Sequence, residues 1–167
     1  MKERTTALVV HQNSETLVSL KCALERQGMC IIQAESRAQA IRMLGGQNPA
    51  PVVFTDTELP DGTWADILAE AERAAPPVNV IVVARVVDTR FYVKTIETGA
   101  FDFLAPPFVA TDLAYVVRSA LDNVVARRAG SAPKYLTGNC SAMAAPGGHS
   151  PGKVETQYQV DRTPRAL

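Results

Sequence analysis

Residues 80–108, VIVVARVVDTRFYVKTIETGAFDFLAPPF, contain a strand, a helix and a second strand in direct succession. The stretch opens with a continuous apolar run, which is typical of strands covered on both faces. Asp88 or Thr89 can start the helix, and Gly99 can end it. Residues 101–104 then form another short strand candidate. A strand, a helix and a strand in this order predict two parallel strands joined by a helical crossover.

The same alternation extends towards the N-terminus. Short apolar runs predict three more strands, at residues 7–10, 30–33 and 52–55. Helical patterns lie between these runs, and Ser14 and Ser36 are suited to cap two of the helices.

Two further helices complete the pattern. Residues 64–74 are rich in alanine and glutamate, and Thr111 is a suitable cap for the most regular helix of the chain. Five strands alternating with five helices predict an α/β fold with a five-stranded parallel, doubly wound sheet. In such a sheet the functional site lies in the loops at the carboxyl ends of the strands. The apolar residues of the last helix recur at core-facing spacing: Leu113, Val116, Val117, Ala120, Leu121 and Val124.

Composition and charge exclude several classes of function. The 167 residues contain 17 basic and 17 acidic side chains, so net charge gives no reason to expect nucleic acid or an anionic membrane as a partner. No apolar run approaches the roughly 20 residues needed to span a bilayer, and the N-terminus has no signal-peptide pattern. The three cysteines form no disulfide pattern, which favours a cytoplasmic location.

Domain organisation follows from a change in composition near the end of the last helix. We predict one domain at residues 5–127 and a flexible tail at residues 128–167, because the second segment is rich in glycine and proline and has no apolar period. We expect a stand-alone protein, since the tail lacks the two-helix pattern of a DNA-binding output domain.

Common enzyme signatures are missing from the sequence. It contains neither a glycine-rich nucleotide motif nor a GxSxG nucleophile motif. His11 and His149 lie far apart, and with scattered cysteines they do not match the ligand spacing of a zinc site. We therefore expect no enzymatic activity.

Four segments together indicate a family. ALVVHQ at residues 7–12, VVFTDTELPDG at 52–62, VIVVAR at 80–85 and GAFDFLAPPF at 99–108 resemble the receiver domain of bacterial two-component response regulators. The resemblance implies the flavodoxin-like topology of that family and a role in a phosphorelay. It also implies that Asp56 occupies the position that accepts a phosphoryl group from a histidine kinase.

The metal-binding positions depart from the family pattern. Receivers have two acidic residues after the first strand, which bind Mg²⁺ together with the acceptor aspartate; here those positions are His11 and Gln12. Mg²⁺ prefers carboxylate oxygens and water, so we predict weak Mg²⁺ binding at Asp56. Glu58 has two interpretations, either as a replacement metal ligand or as a carboxylate that points to solvent.

The switch positions depart from the pattern as well. Ala84 stands where the family has a serine or threonine that bonds the phosphoryl group, and Pro106 stands where it has a lysine. Phe103 matches the switch aromatic, and by resemblance the Pro106–Pro107 bond is expected to be cis. Arg85 could pair with Asp56 as a compensating charge or remain an exposed loop residue.

Two further expectations concern His11 and the partner surface. Pairing of His11 with Asp56 would raise the pKa of the imidazole. By resemblance, Phe91, Tyr92 and Tyr115 lie on or near the face of the fourth and fifth helices that the family uses for partners and for dimers. Tyr115 falls off the apolar stripe of its helix, so we expect it to be exposed.

Two functional hypotheses remain open at this point. In the first, the chain is a degenerate receiver that acts as a protein-interaction module and responds weakly or not at all to phosphorylation. In the second, it is a phosphoacceptor that takes a phosphoryl group from a histidine kinase at Asp56 and switches its helix 4–strand 5–helix 5 face. The expected partner in both cases is a protein, either a histidine kinase or a downstream regulator, with homodimer formation as a further expectation.

Overall fold

The predicted parallel sheet is present in the computed structural model, which describes residues 5–130. All pairings in its main sheet are parallel. The five strands are β1 (Thr6–Val10), β2 (Cys30–Ala34), β3 (Val52–Asp56), β6 (Asn79–Val83) and β7 (Asp102–Leu104), in the spatial order β2-β1-β3-β6-β7.

Five helices connect the strands, and a small hairpin follows β3. The hairpin consists of β4 (Glu58–Leu59) and β5 (Gly62–Thr63), which pair antiparallel. The helices are α1 (Glu15–Arg26), α2 (Arg37–Leu44), α3 (Trp64–Arg73), α4 (Thr89–Thr98) and α5 (Ala110–Arg128). None of the helices in the described residues is long and apolar enough to cross a membrane.

Alternation along the strands divides the core into two layers. On β1, Leu8 and Val10 pack in the layer beneath α2, α3 and α4. Ala7 and Val9 point the other way, into the layer beneath α1 and α5. Since both faces of the central strands β1, β3 and β6 are buried, these strands show continuous apolar runs, as the sequence predicts, whereas the edge strand β2 is partly exposed.

Some local predictions are corrected by the structure. Val109 rather than Thr111 caps α5, so the helix starts at Ala110. Ser14 occupies the cap position of α1, but its side chain makes no capping hydrogen bond. Cys22, expected on the apolar face of α1, is exposed.

The end of α5 has a clear anchor. The guanidinium of Arg127 donates hydrogen bonds to the carbonyl oxygen of Val78 (3.2 Å) and to the side-chain oxygen of Asn79 (2.8 Å). These bonds hold the last turn of α5, which continues to Arg128. The predicted flexible tail lies outside the described residues from position 131 onwards.

Candidate functional site

The carboxyl ends of β3 and β6 meet beside an open groove of about 550 Å³. Asp56, the last residue of β3, is in register with Val83, the last residue of β6. The groove therefore lies where a parallel sheet is expected to place its functional site. Its lining combines carboxylate, guanidinium, amide and hydroxyl groups from three loops: Gln12, Asn13, Ser14, Asp56, Thr57, Glu58, Leu59, Pro60, Arg85 and Val86.

Asp56, the predicted phosphoacceptor, lines the groove. It is half-buried at the end of its strand. Its Oδ1 accepts hydrogen bonds from the backbone N–H of Thr57 (2.8 Å) and from the Thr57 hydroxyl (3.4 Å). Among the described residues, the other oxygen of Asp56 has no hydrogen-bond partner, so it remains available to a ligand in the groove.

His11 is buried in the loop that follows β1. Its side chain is 2% exposed. The Nδ1 atom accepts a long hydrogen bond from the backbone N–H of Ser14 (3.4 Å), and the buried Nε2 has no hydrogen-bond partner in the described structure. Because Nδ1 accepts, the neutral ring has its proton on Nε2.

The net pKa shift of His11 is downward, although its pairing with Asp56 was expected to raise the pKa. Burial has the largest effect and lowers the pKa of His11 below its usual value. The charge of Asp56 does raise this pKa, and Lys21 and Glu35 have smaller, opposite effects. The cost of charging a buried imidazole exceeds the attraction of the carboxylate, so His11 is held as a neutral group.

The residues of the groove do not fit a Mg²⁺ site. No group of three or more histidine, cysteine, aspartate and glutamate side chains is placed to hold a metal ion in the described range 5–130. Gln12 is exposed and uncharged, and the Nδ1 of His11 already accepts a hydrogen bond. Asp56 and the exposed Glu58 are the two carboxylates that line the groove. Mg²⁺ demands near-octahedral oxygen coordination, which this donor set does not supply.

The two other polar positions of a receiver site are filled by apolar residues. Ala84 is buried at the end of β6, and its backbone N–H donates to the carbonyl oxygen of Leu104 (2.9 Å). Pro106 is exposed, and the expected cis bond between Pro106 and Pro107 is confirmed. Neither side chain can donate a hydrogen bond to a group on Asp56.

Arg85 does not pair with Asp56. Its side chain is exposed and lines the same groove. The ion pairs found in the described part of the chain are those of Arg37 with Asp66 and of Arg73 with Glu70. Arg85 therefore places a positive charge at the rim of the groove without neutralising Asp56.

Phe103 is buried in a cluster of aromatic rings. It is 2% exposed, and its ring makes edge contacts with Phe91 (centroid distance 5.8 Å) and Tyr92 (5.9 Å) of α4. Phe91 in turn contacts Trp64, the first residue of α3, at 5.9 Å and a right angle. We call Trp64, Phe91, Tyr92 and Phe103 the aromatic cluster.

Of the three residues predicted for the partner face, two belong to this cluster. Phe91 and Tyr92 are half-buried, because their rings pack towards β7. Tyr115 on α5 is 49% exposed, which agrees with the expectation from its position on the helix. Tyr115 is thus the member of the predicted face with the most accessible ring.

Sequence reasoning missed two residues of this region. Trp64 was predicted only as part of a helix, although a tryptophan at the start of that helix, directly after a turn, is a signal for a packing role. Asp102 has no role beyond strand formation in the sequence analysis. In the structure its carboxyl group is buried beside Phe103 and accepts a hydrogen bond from the backbone N–H of Phe103 (2.8 Å).

Comparisons with known proteins agree with this geometry. The family described as "Response regulator receiver domain" matches residues 7–118. The transcriptional regulatory protein PrrA of Mycobacterium tuberculosis is 33% identical over 126 residues, which cover 74% of this chain and 51% of PrrA. The DNA-binding transcriptional regulator NtrC of Rhizobium meliloti is 28% identical over 116 residues, which cover 70% of this chain and 24% of NtrC. The chain thus spans about half or less of the length of these relatives.

Solved structures show the same fold. A response regulator receiver domain protein from Clostridium thermocellum matches with a TM-score of 0.61 and 28% identity, over 71% of this chain and 94% of that chain. The signal receiver domain of a putative Luxo repressor protein from Vibrio parahaemolyticus matches with a TM-score of 0.65 and 23% identity, over 78% of this chain and 99% of that chain. The second likeness shows the fold alone.

Proposed function

The chain belongs to the response regulator receiver domain family of bacterial two-component signalling, and from that premise we propose that it is a degenerate receiver. In this proposal it acts in the bacterial cytoplasm as a protein-interaction module whose partner surface forms without phosphorylation. The partner is a histidine kinase or a downstream regulator, and the module has no enzymatic activity of its own.

The observation that supports this proposal most is the buried position of Phe103 in the core layer that also contains Ala84. In the family, a hydroxyl at the position of Ala84 moves towards the phosphoryl group and the aromatic residue follows it inwards. Here Phe103 is already buried and in contact with two rings of α4. A ligand shifts an equilibrium only if it interacts differently with the two states, and Ala84 and Pro106 offer a phosphoryl group no such contact.

The second candidate function is that of a phosphoacceptor. It is favoured by Asp56, whose carboxylate lies in the groove with one oxygen free of hydrogen bonds among the described residues. Against it stands the donor set, because phosphoryl transfer requires a cation that neutralises the transferring oxygens. The groove offers the guanidinium of Arg85 but no carboxylate set for Mg²⁺.

A small acyl phosphate with Mg²⁺ distinguishes the two functions. We expect that acetyl phosphate leaves the amide NMR signals of α4, β7 and α5 unchanged in the wild-type chain, as it does in Asp56→Asn. Shifts throughout these three elements that appear with acetyl phosphate and vanish in Asp56→Asn would establish the phosphoacceptor instead. Thr111→Ala, a change at an exposed position of α5 away from the groove, is the matched control.

A further inference from the structure

Helix α4 buries few side chains against the rest of the fold. Thr95 is its one buried residue, and the Thr95 hydroxyl donates to the carbonyl oxygen of Phe91 within the same helix (2.7 Å). By contrast, α1 buries Leu17, Leu20 and Leu24. The half-buried rings of Phe91 and Tyr92 therefore supply the main apolar contacts that α4 makes with the sheet.

Trp64 reaches α4 from a well-anchored base. Its backbone N–H donates to the carbonyl oxygen of Thr57 (3.4 Å), the residue after Asp56. The hairpin before it is tied to α2, because the carboxylate of Asp61 accepts from the backbone N–H groups of Arg37 (2.6 Å) and Ala38 (2.9 Å). Trp64 thus joins the loop of Asp56, through its backbone N–H, to the ring of Phe91, through its indole.

The close packing around the hairpin adds to this anchoring. A Cβ atom built on Gly62 would come within 2.6 Å of the Arg37 side chain and within 2.7 Å of the carboxylate of Asp66. Asp66 also accepts from the backbone N–H of Thr63 (2.9 Å), which forms a capping box at the start of α3. The segment that leads into Trp64 is thus in contact with side chains of both α2 and α3.

We propose that Trp64 is a positioning residue that holds α4 and keeps Phe103 in its buried position through the edge contact with Phe91. Edge-to-face ring pairs stabilise beyond the burial of their area, and here the pairs run without a break from Trp64 through Phe91 to Phe103. The inference rests on the proposed function, because a fixed α4 is what a constitutive partner surface requires. It assigns to an aromatic contact the task that a phosphoryl group performs in a switching receiver.

Amide hydrogen exchange on the full chain without any phosphodonor tests this role. In Trp64→Leu, which keeps an apolar side chain but loses the ring, exchange in the last two turns of α4 should accelerate at least about tenfold more than exchange in α1, a difference of about 1.4 kcal/mol. Trp64→Phe restores a ring and should return most of the protection. Phe91→Leu removes the other side of the same contact and should reproduce the effect.

The control separates this role from general destabilisation. Ile67→Val changes a fully buried residue of α3 outside the aromatic cluster, and α4 and α1 should respond to it equally. Equal acceleration of α4 and α1 in both Trp64→Leu and Phe91→Leu would overturn the proposal, as would identical behaviour of Trp64→Phe and Trp64→Leu. The acetyl phosphate experiment can reject the constitutive function while this one still succeeds, so the two failures are distinguishable.

Discussion

Replacing Asp102 with asparagine should stabilise the protein at neutral pH. The carboxyl group is 7% exposed, and burial raises its pKa to about 6, although the hydrogen bond from the Phe103 N–H lowers it somewhat. Above that pH the carboxyl group is ionised inside the fold, and no nearby positive charge contributes to its pKa shift. Asparagine keeps the oxygen that accepts from Phe103 and removes the charge.

The direction and the size of this change in stability follow from the linkage between proton binding and folding. The pKa of Asp102 is higher in the folded state than the ordinary value of 3.8, so between these values the folded state binds more protons and stability falls as pH rises. At 1.36 kcal/mol per pH unit, the interval from 3.8 to about 6 corresponds to about 3 kcal/mol. We expect Asp102→Asn to gain about 1–3 kcal/mol at pH 7.5, because the buried amide retains a desolvation cost.

Urea denaturation at a series of pH values measures this effect. The single tryptophan, Trp64, is buried and provides the fluorescence signal. His11 has the opposite effect on the pH dependence of stability. Because its pKa is lowered in the fold, stability falls as the pH drops below 6.5, the ordinary pKa of histidine. The contribution of His11 is the same in wild type and Asp102→Asn, because the charge of Asp102 does not contribute to the pKa shift of His11. It therefore cancels when the two unfolding free energies are subtracted. A difference that stays constant within about 0.5 kcal/mol from pH 4 to 7.5 would refute the reasoning.

Three further expectations follow from the site and from the anchors of the fold. Mg²⁺ should show no sub-millimolar binding by calorimetry, and a signal lost in both Asp56→Asn and Glu58→Gln would contradict this. Asn79→Ala should cost about 2–3 kcal/mol in urea denaturation, because Asn79 Nδ2 donates to Ala120 O and Asn123 Oδ1 and Asn79 Oδ1 accepts from Arg127; a loss no larger than that of the exposed control Asn13→Ala would contradict it. Asp61→Ala should accelerate amide exchange in α2 more than in α1, since Asp61 accepts from two N–H groups at the start of α2; equal acceleration would count against that anchor.

The fold was predictable because its signals are local and repeated. The central strands of the parallel sheet are short apolar runs. Gly99, with its left-handed backbone (φ 114°), ends α4 where the sequence places the stop. Asp88, one of the two predicted starts of the same helix, caps it with its side chain. The start of α5 was misplaced by two residues, because Val109 has no side chain that marks a cap.

The site was predictable in its positions but not in its pairings. The sequence places Asp56, His11 and Arg85 at the same edge of the sheet, since each follows or ends a predicted strand. Whether Arg85 reaches Asp56 depends on the rotamer of a side chain in an exposed loop. The sequence pattern does not determine that rotamer. The pKa of His11 depends on the balance between burial, which lowers it, and the attraction of Asp56, which raises it. The edge contact of Trp64 with Phe91 joins residues 27 positions apart in the chain.

The fold and the phosphoryl site of a receiver depend on different interactions, and in the proposed function this chain keeps the first without the second. The fold depends on apolar packing, and both layers of the core are filled, with Phe103 fully enclosed. Phosphoryl chemistry depends on a few charged and hydroxyl groups at one edge of the sheet, and at that edge the exposed positions of Gln12 and Pro106 can change without a loss of core packing. Ala84 even joins the apolar layer that contains Phe103 and Trp64. In the degenerate receiver proposed above, Ala84 therefore adds to the packing behind the partner surface, which is what a module that binds constitutively requires.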